Sequence, residues 1–346
     1  MNRYAIAFSL LLVAGCDHDH PFKQSMKLAG KEVSADTLNA GRDAYMVYCR
    51  PCHGENGDGK GYSSYGLRPP PRDFSQGLFK FGHVQAPALP PDEELTKIVK
   101  GGLHGTAMLP WDISDKELEA TLQFIKTFSP RWQTEEPGKL IEVSPDPFGE
   151  AKTAEAVALG EKLYHAKAQC SGCHPAFVSH EKLFNLTKEV SGSGQTEFSP
   201  EMYLSQIKDS EYCLEWKPGW KKIEDRECAK VVKILPPNFT RDALRTIHEG
   251  TELTDLYRTI ASGIGGANMP TWKGALSENE LWGLAYYVRS LVALRGKPDA
   301  TKLAATLNDP ANLSWKPAAE PPAAPAPPEK GAAPSKPAPA SPAKKG

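Results

Sequence analysis

What the sequence lacks narrows the reading first. It has no excess of charge of one sign: 41 Lys and Arg stand against 42 Asp and Glu, a formal net charge of −1. Nothing in that balance marks a binder of nucleic acid or of a strongly charged substrate. It has no long apolar run, since the stretch from Tyr4 to Val13 falls well short of the about 20 residues that span a bilayer. Cysteine is sparse. The seven lie at 16, 49, 52, 170, 173, 213 and 228, and neither close pair has a further thiol nearby to complete a tetrahedral zinc site. An array of many repeats is also missing, which excludes a solenoid.

What is present is one motif, twice: Cys49-Arg50-Pro51-Cys52-His53 and Cys170-Ser171-Gly172-Cys173-His174. C-x-x-C-H is the pattern of covalent haem attachment, in which two thiols become thioethers and the adjacent histidine ligates iron. A single copy is also compatible with a redox dithiol or half a zinc site. Two copies, each after a short helix and each followed by a matching methionine loop, point to two haem c groups. Cys49, Cys52, Cys170 and Cys173 are the expected thioether residues, and His53 and His174 the expected proximal ligands.

The remaining cysteines indicate the compartment. Arg3, the apolar stretch and Ala14-Gly15-Cys16 read as an export signal. Leu12-Val13-Ala14-Gly15-Cys16 resembles the lipobox of bacterial lipoproteins, which implies that Cys16 is lipidated and residues 1–15 are removed. The expected location is the periplasmic side of a membrane, held by the lipid. Cys213 and Cys228, in an exported chain, are expected to pair as a disulfide, worth about 3 kcal/mol in the chain-entropy account.

The chain also carries an internal duplication. Leu95 to Trp111 reads LTKIVKGGLHGTAMLPW and Leu256 to Trp272 reads LYRTIASGIGGANMPTW, with Met108 and Met269 in register. Pro71-Arg72-Asp73-Phe74-Ser75 loosely echoes Pro236-Pro237-Asn238-Phe239-Thr240. Entry helices with Gly-x-x-x-Tyr at Gly41/Tyr45 and Gly160/Tyr164 precede the motifs. Capping boxes at Ser114/Glu117 and Ser277/Glu280 open a later helix in each half. The glycines would let that later helix cross the entry helix closely. The expected organisation is a signal peptide at 1–15, a tether at 16–33, a first domain at 34–132 and a linker at 133–151. A second domain follows at 152–296, with an insertion at about 178–235, and then a disordered Pro/Ala-rich tail at 297–346. From Lys316 that tail holds ten prolines, too little apolar surface to fold.

Met108 and Met269 are the candidate sixth ligands, because each lies in a Gly-rich loop where backbone can approach a flat group. His104 competes with Met108, but its counterpart is Gly265. The spacing from His174 to Met269 is 95 residues against 55 from His53 to Met108, which makes Met269 the less secure of the two. The prolines of Arg68-Pro69-Pro70-Pro71 and Leu235-Pro236-Pro237 are candidates to place a backbone carbonyl against each histidine's other ring nitrogen.

On these residues each half resembles a class I cytochrome c domain. The resemblance implies an all-α fold, two tandem domains and His/Met ligation. That ligation suits transfer of single electrons between envelope redox partners or within a membrane respiratory complex. No catalytic residue is expected. The alternatives are a two-haem peroxidase-type enzyme, with one iron open, and the haem subunit of a membrane-associated dehydrogenase or reductase. Pro175, directly after His174, departs from the small residue common at that place.

Overall fold

A computed structural model describes residues 20–198, 203–205, 208–211, 231–247 and 252–318. Cys16, Cys213, Cys228 and residues 319–346 lie outside the described residues.

The elements run β1 (Met26–Leu28), β2 (Lys31–Val33), α1 (Ala35–Tyr48), α2 (Arg50–His53), α3 (Asp92–Gly101), α4 (Asp115–Lys126), α5 (Arg131–Thr134) and α6 (Thr153–Lys162). They continue with α7 (His180–Ser191), β3 (Lys208–Glu211), β4 (Val231–Ile234), α8 (Glu252–Ser262), α9 (Glu278–Val292), α10 (Pro298–Leu307) and α11 (Pro310–Leu313). Among the described residues, four short strands form two antiparallel pairs, β1 with β2 and β3 with β4. The architecture is all-α.

Both halves are built on the same crossing of helices. In the first, α1 lies against α4; in the second, α6 lies against α9. Glycine sets the approach each time. A Cβ on Gly41 would sit 2.0 Å from the Ala120 carbonyl oxygen, and one on Gly160 would sit 2.0 Å from that of Gly283. Two separate apolar cores follow. Leu38, Tyr45, Leu118, Leu122 and Phe124 centre the first, and Tyr164, Tyr257, Leu281, Leu284 and Tyr287 the second.

The helix starts agree with the caps in the sequence, with one difference. Ser277 accepts from the Glu280 N–H at 3.3 Å while the Glu280 carboxylate accepts from the Ser277 N–H at 2.9 Å, so that box is complete. Ser114 accepts from the Glu117 N–H, but Glu117 answers its hydroxyl at 2.5 Å rather than its backbone. Only half of the first box forms. Ser277→Ala is expected to cost about 1 kcal/mol, read as a lower urea midpoint with unchanged slope.

Three expected boundaries shift. Order begins before Ser34, because β1 and β2 bring Leu28 and Val33 into the first core and Phe22 packs edge-on against Phe124. Part of the expected tether is thus wall of the first domain; strands of three residues are too short for a period to show. The linker is packed too: Ile141 is buried in the second core, its N–H donating to the His83 carbonyl at 2.8 Å. The tail starts as helix. Leu307 of α10 joins Ala176, Val178, Leu183 and Tyr203 in a third small core, and Asn312 accepts from the His180 N–H at 2.9 Å. Leu303 and Leu307, four apart on one helical face, carried that signal beneath the Pro/Ala composition.

Candidate haem sites

Each Cys-x-x-Cys-His segment leaves its entry helix through a tight turn. Cys49 closes α1 by donating its N–H to the Tyr45 carbonyl at 2.8 Å, and α2 carries Cys52 and His53. In the second half α6 passes into a five-residue π turn, Leu163–Lys167, and then a short 3-10 turn at Cys170–Gly172. The backbone routes differ. Their endpoints agree: His53 donates its N–H to the Cys49 carbonyl and His174 donates its N–H to the Cys170 carbonyl, both at 2.9 Å.

The histidine rings are held alike. His53 Nδ1–H donates to the Arg72 carbonyl at 3.1 Å, and His174 Nδ1–H donates to the Pro237 carbonyl at 3.0 Å. In the second half the acceptor lies in the expected proline stretch; in the first it is the next residue along. Phe74 stacks on His53 at 4.4 Å and Phe239 on His174 at 4.7 Å between centroids. Burial lowers the pKa of both imidazoles, which keeps them neutral. With Nδ1 occupied, Nε2 is the nitrogen left to take iron, the usual arrangement of a ligating histidine.

The loose sequence echo around Phe74 and Phe239 has a physical basis that sequence reasoning missed. Asp73 Oδ1 accepts from the Ser75 N–H and hydroxyl at 2.9 and 2.6 Å, and Asn238 Oδ1 accepts from the Thr240 N–H and hydroxyl at 3.0 and 2.8 Å. These matched turns set each phenylalanine against its histidine. The entry-helix tyrosines have a second role as well. Tyr45 donates its hydroxyl to the Gly54 carbonyl at 2.7 Å and Tyr164 to the Pro175 carbonyl at 2.9 Å. Pro175 therefore keeps the contact of its counterpart, because only its carbonyl is used.

Neither Cys49 nor Cys170 has the lowered pKa that a redox dithiol needs. Burial, with the neighbouring Cys52, pushes Cys49 up to about 12, and burial pushes Cys170 up to about 12. All four motif cysteines are unpaired with one another. Among the described residues, no group of three or more His, Cys, Asp and Glu side chains could hold a metal ion.

The methionine loops coincide in detail. The Met108 carbonyl accepts from the Leu103 N–H at 2.7 Å and the Met269 carbonyl from the Ile264 N–H at 3.1 Å. Gly102 and Gly263 open the turns with φ of 68° and 70°, and a Cβ on either would lie 2.8 Å from its methionine's carbonyl oxygen. The 40 extra residues of the second half fall elsewhere, so the two turns share one geometry. Met46 packs at the edge of the first core, and Met202 lies outside the described residues. His104 is held through its backbone, donating its N–H to the Arg245 carbonyl at 3.0 Å.

An all-α unit that presents Cys-x-x-Cys-His beside a carbonyl-anchored imidazole fits covalent attachment of a haem. Residues 36–125 match the family model of cytochrome C oxidase, cbb3-type, subunit III, and this stretch is a cytochrome c domain. Among solved structures the chain is similar to a chain of the Kuenenia stuttgartiensis reducing HAO-like protein complex Kustc0457/Kustc0458. The likeness has 27% identity and a TM-score of 0.55, and covers 73% of this chain and 96% of that one. No curated protein matches.

Proposed function

We propose that the chain carries two haem c groups and passes single electrons between redox proteins of the cell envelope. Cys49 and Cys52 hold the first haem and Cys170 and Cys173 the second, with His53/Met108 and His174/Met269 as the axial pairs. The observation that carries this reading is the repetition of one anchoring scheme in both halves, down to the carbonyl on each Nδ1 and the glycine-opened methionine turn. Haem c, when bound, would supply a one-electron couple, and a methionine thioether would raise its potential. The protein's own groups orient the imidazoles, keep them neutral and shield them with Phe74 and Phe239. A carrier or electron-transferring subunit needs nothing more.

Likeness along nearly the whole of a chain from a reducing HAO-like protein complex supports work as one component of a redox assembly. Export and a lipid on Cys16 would hold the chain at the membrane surface, with Cys213 and Cys228 oxidised to a disulfide. The holoprotein is expected to give two haems per chain in a pyridine haemochrome assay. Its oxidised spectrum should show no high-spin iron. One haem per chain would sink the two-site reading, and a high-spin signal would favour a peroxidase-type site instead.

A further inference from the structure

The third small core has a histidine that neither motif uses. His180 opens α7, and α10 and α11 close over it. Asn312 is the clasp. Its Oδ1 accepts from the His180 N–H at 2.9 Å, while its amide donates to the Leu307 carbonyl at 2.7 Å and to the Tyr203 hydroxyl. Trp315 adds ring contacts to Phe184 of α7 and to Phe198, at 5.7 and 6.1 Å between centroids. The covered residues include Ala176 and Val178, so this cap lies over the stretch that follows the second Cys-x-x-Cys-His motif.

His180 is 2% exposed, and Phe198 lies flat on its ring at 4.2 Å between centroids, with Tyr203 near-parallel at 6.4 Å. Neither ring nitrogen has a hydrogen-bond partner. The clasp thus holds the backbone of this residue and leaves its imidazole unanchored. Burial lowers the His180 pKa, so the closed cap accepts the neutral ring and resists the cation. The start of a helix adds to this, since its dipole disfavours positive charge on the first residue. Tyr203 is the titratable side chain stacked on the ring, and burial raises its pKa, which keeps it neutral in acid. The charged neighbours are Glu181 and Lys182 of α7, Glu197 beside Phe198, Lys302 of α10 and Asp309 at the α11 cap. All five are exposed, and among the described residues none pairs with the His180 ring.

We propose that His180 is a proton-operated latch: the neutral ring seals α10 and α11 onto α7, and protonation frees them while the two domain cores stay folded. The sign follows from linkage. A histidine whose closed-state pKa lies below its ordinary value of 6.5 contributes its full stabilisation above that value and loses it as pH falls below. One unit below, the open-to-closed ratio rises about tenfold. Opening bares Ala176, Val178 and Leu183, an apolar face that begins two residues beyond His174. Acidity would then govern access to the flank of the second motif.

The test is hydrogen exchange of the full-length holoprotein, corrected for intrinsic rate, about one pH unit above and about one below the ordinary histidine value, beside His180→Phe and His180→Leu. In the parent, protection of the α10 and α11 amides is expected to fall about tenfold on the acid side, while that of α9 stays constant. Phenylalanine keeps a flat ring on Phe198, leucine keeps the apolar fill, and neither takes a proton. Whichever variant closes on the alkaline side should therefore hold its protection in acid. A fall equal to the parent's in such a variant overturns the latch. Unchanged protection in the parent overturns it with no variant needed. A loss shared by α9 also overturns it, because that marks acid unfolding of the whole second domain.

Discussion

Gly160→Ala is expected to unfold the second domain well below the melting temperature of the parent chain. The added methyl would stand 2.0 Å from the Gly283 carbonyl oxygen and 2.6 Å from Tyr287 Cβ, so α6 and α9 must separate along their whole contact. Alanine gains about 1 kcal/mol over glycine in a helix interior, but that gain is overwhelmed here. The obstacle is backbone, which cannot rotate aside as a side chain can. A net loss of about 3 kcal/mol or more is expected, a large part of the about 5–15 kcal/mol that holds a domain folded. Gly41→Ala should do the same to the first domain through the Ala120 carbonyl. Gly283→Ala is expected to cost less, since its methyl would stand 3.1 Å from Leu159 Cγ and Cδ2 and 3.3 Å from the Gly160 backbone nitrogen, all farther off than the 2.0 Å contact at Gly160. Urea and thermal melts followed by far-UV circular dichroism decide the matter. Parent-like stability in Gly160→Ala would overturn the close backbone crossing of α6 and α9.

Much of this arrangement was legible in the sequence because its signals are local. A Cys-x-x-Cys-His run, a serine three residues before a glutamate and a glycine one turn from a tyrosine each announce their own geometry. The duplication multiplied those signals, since Met108 stood out from the other methionines by its Gly-rich loop and by its register with Met269. What escaped was long-range or too short to have a period. Nothing near Arg245 says that its carbonyl will meet His104 of the other domain. Nor does Ile141 show, within a Pro- and Glu-rich linker, that the second core will absorb it. The β1 and β2 strands are three residues each, and the half-formed box at Ser114 differs from the full one at Ser277 only in where a carboxylate swings. Pro175 taught the converse: a departure in side chain is harmless where the structure uses only the carbonyl.

Met108→Ala and Met269→Ala are expected to have equal effects, although the chain spacing argues against it. Each should remove half of the weak sulfur-to-iron band at the red edge of the oxidised spectrum, convert one iron to a high-spin form and open it to added imidazole. Each should also lower one midpoint potential by more than about 59 mV, a tenfold change in the reduced-to-oxidised ratio, because the thioether is what raises the couple. The 95-residue interval before Met269 would weaken that ligand only if the extra residues reshaped its turn. They do not: Gly263 repeats the φ of Gly102 within a few degrees, and the carbonyl of each methionine closes the same ring of backbone. Among the described residues of the added length, α7 makes a small core with α10 that does not include Met269. An intact band in Met269→Ala would show that the turn is matched in backbone without being matched in ligation. In that case the iron of the second site would need a ligand from elsewhere in the chain or stand open, and the enzyme reading would displace the carrier for that half of the protein.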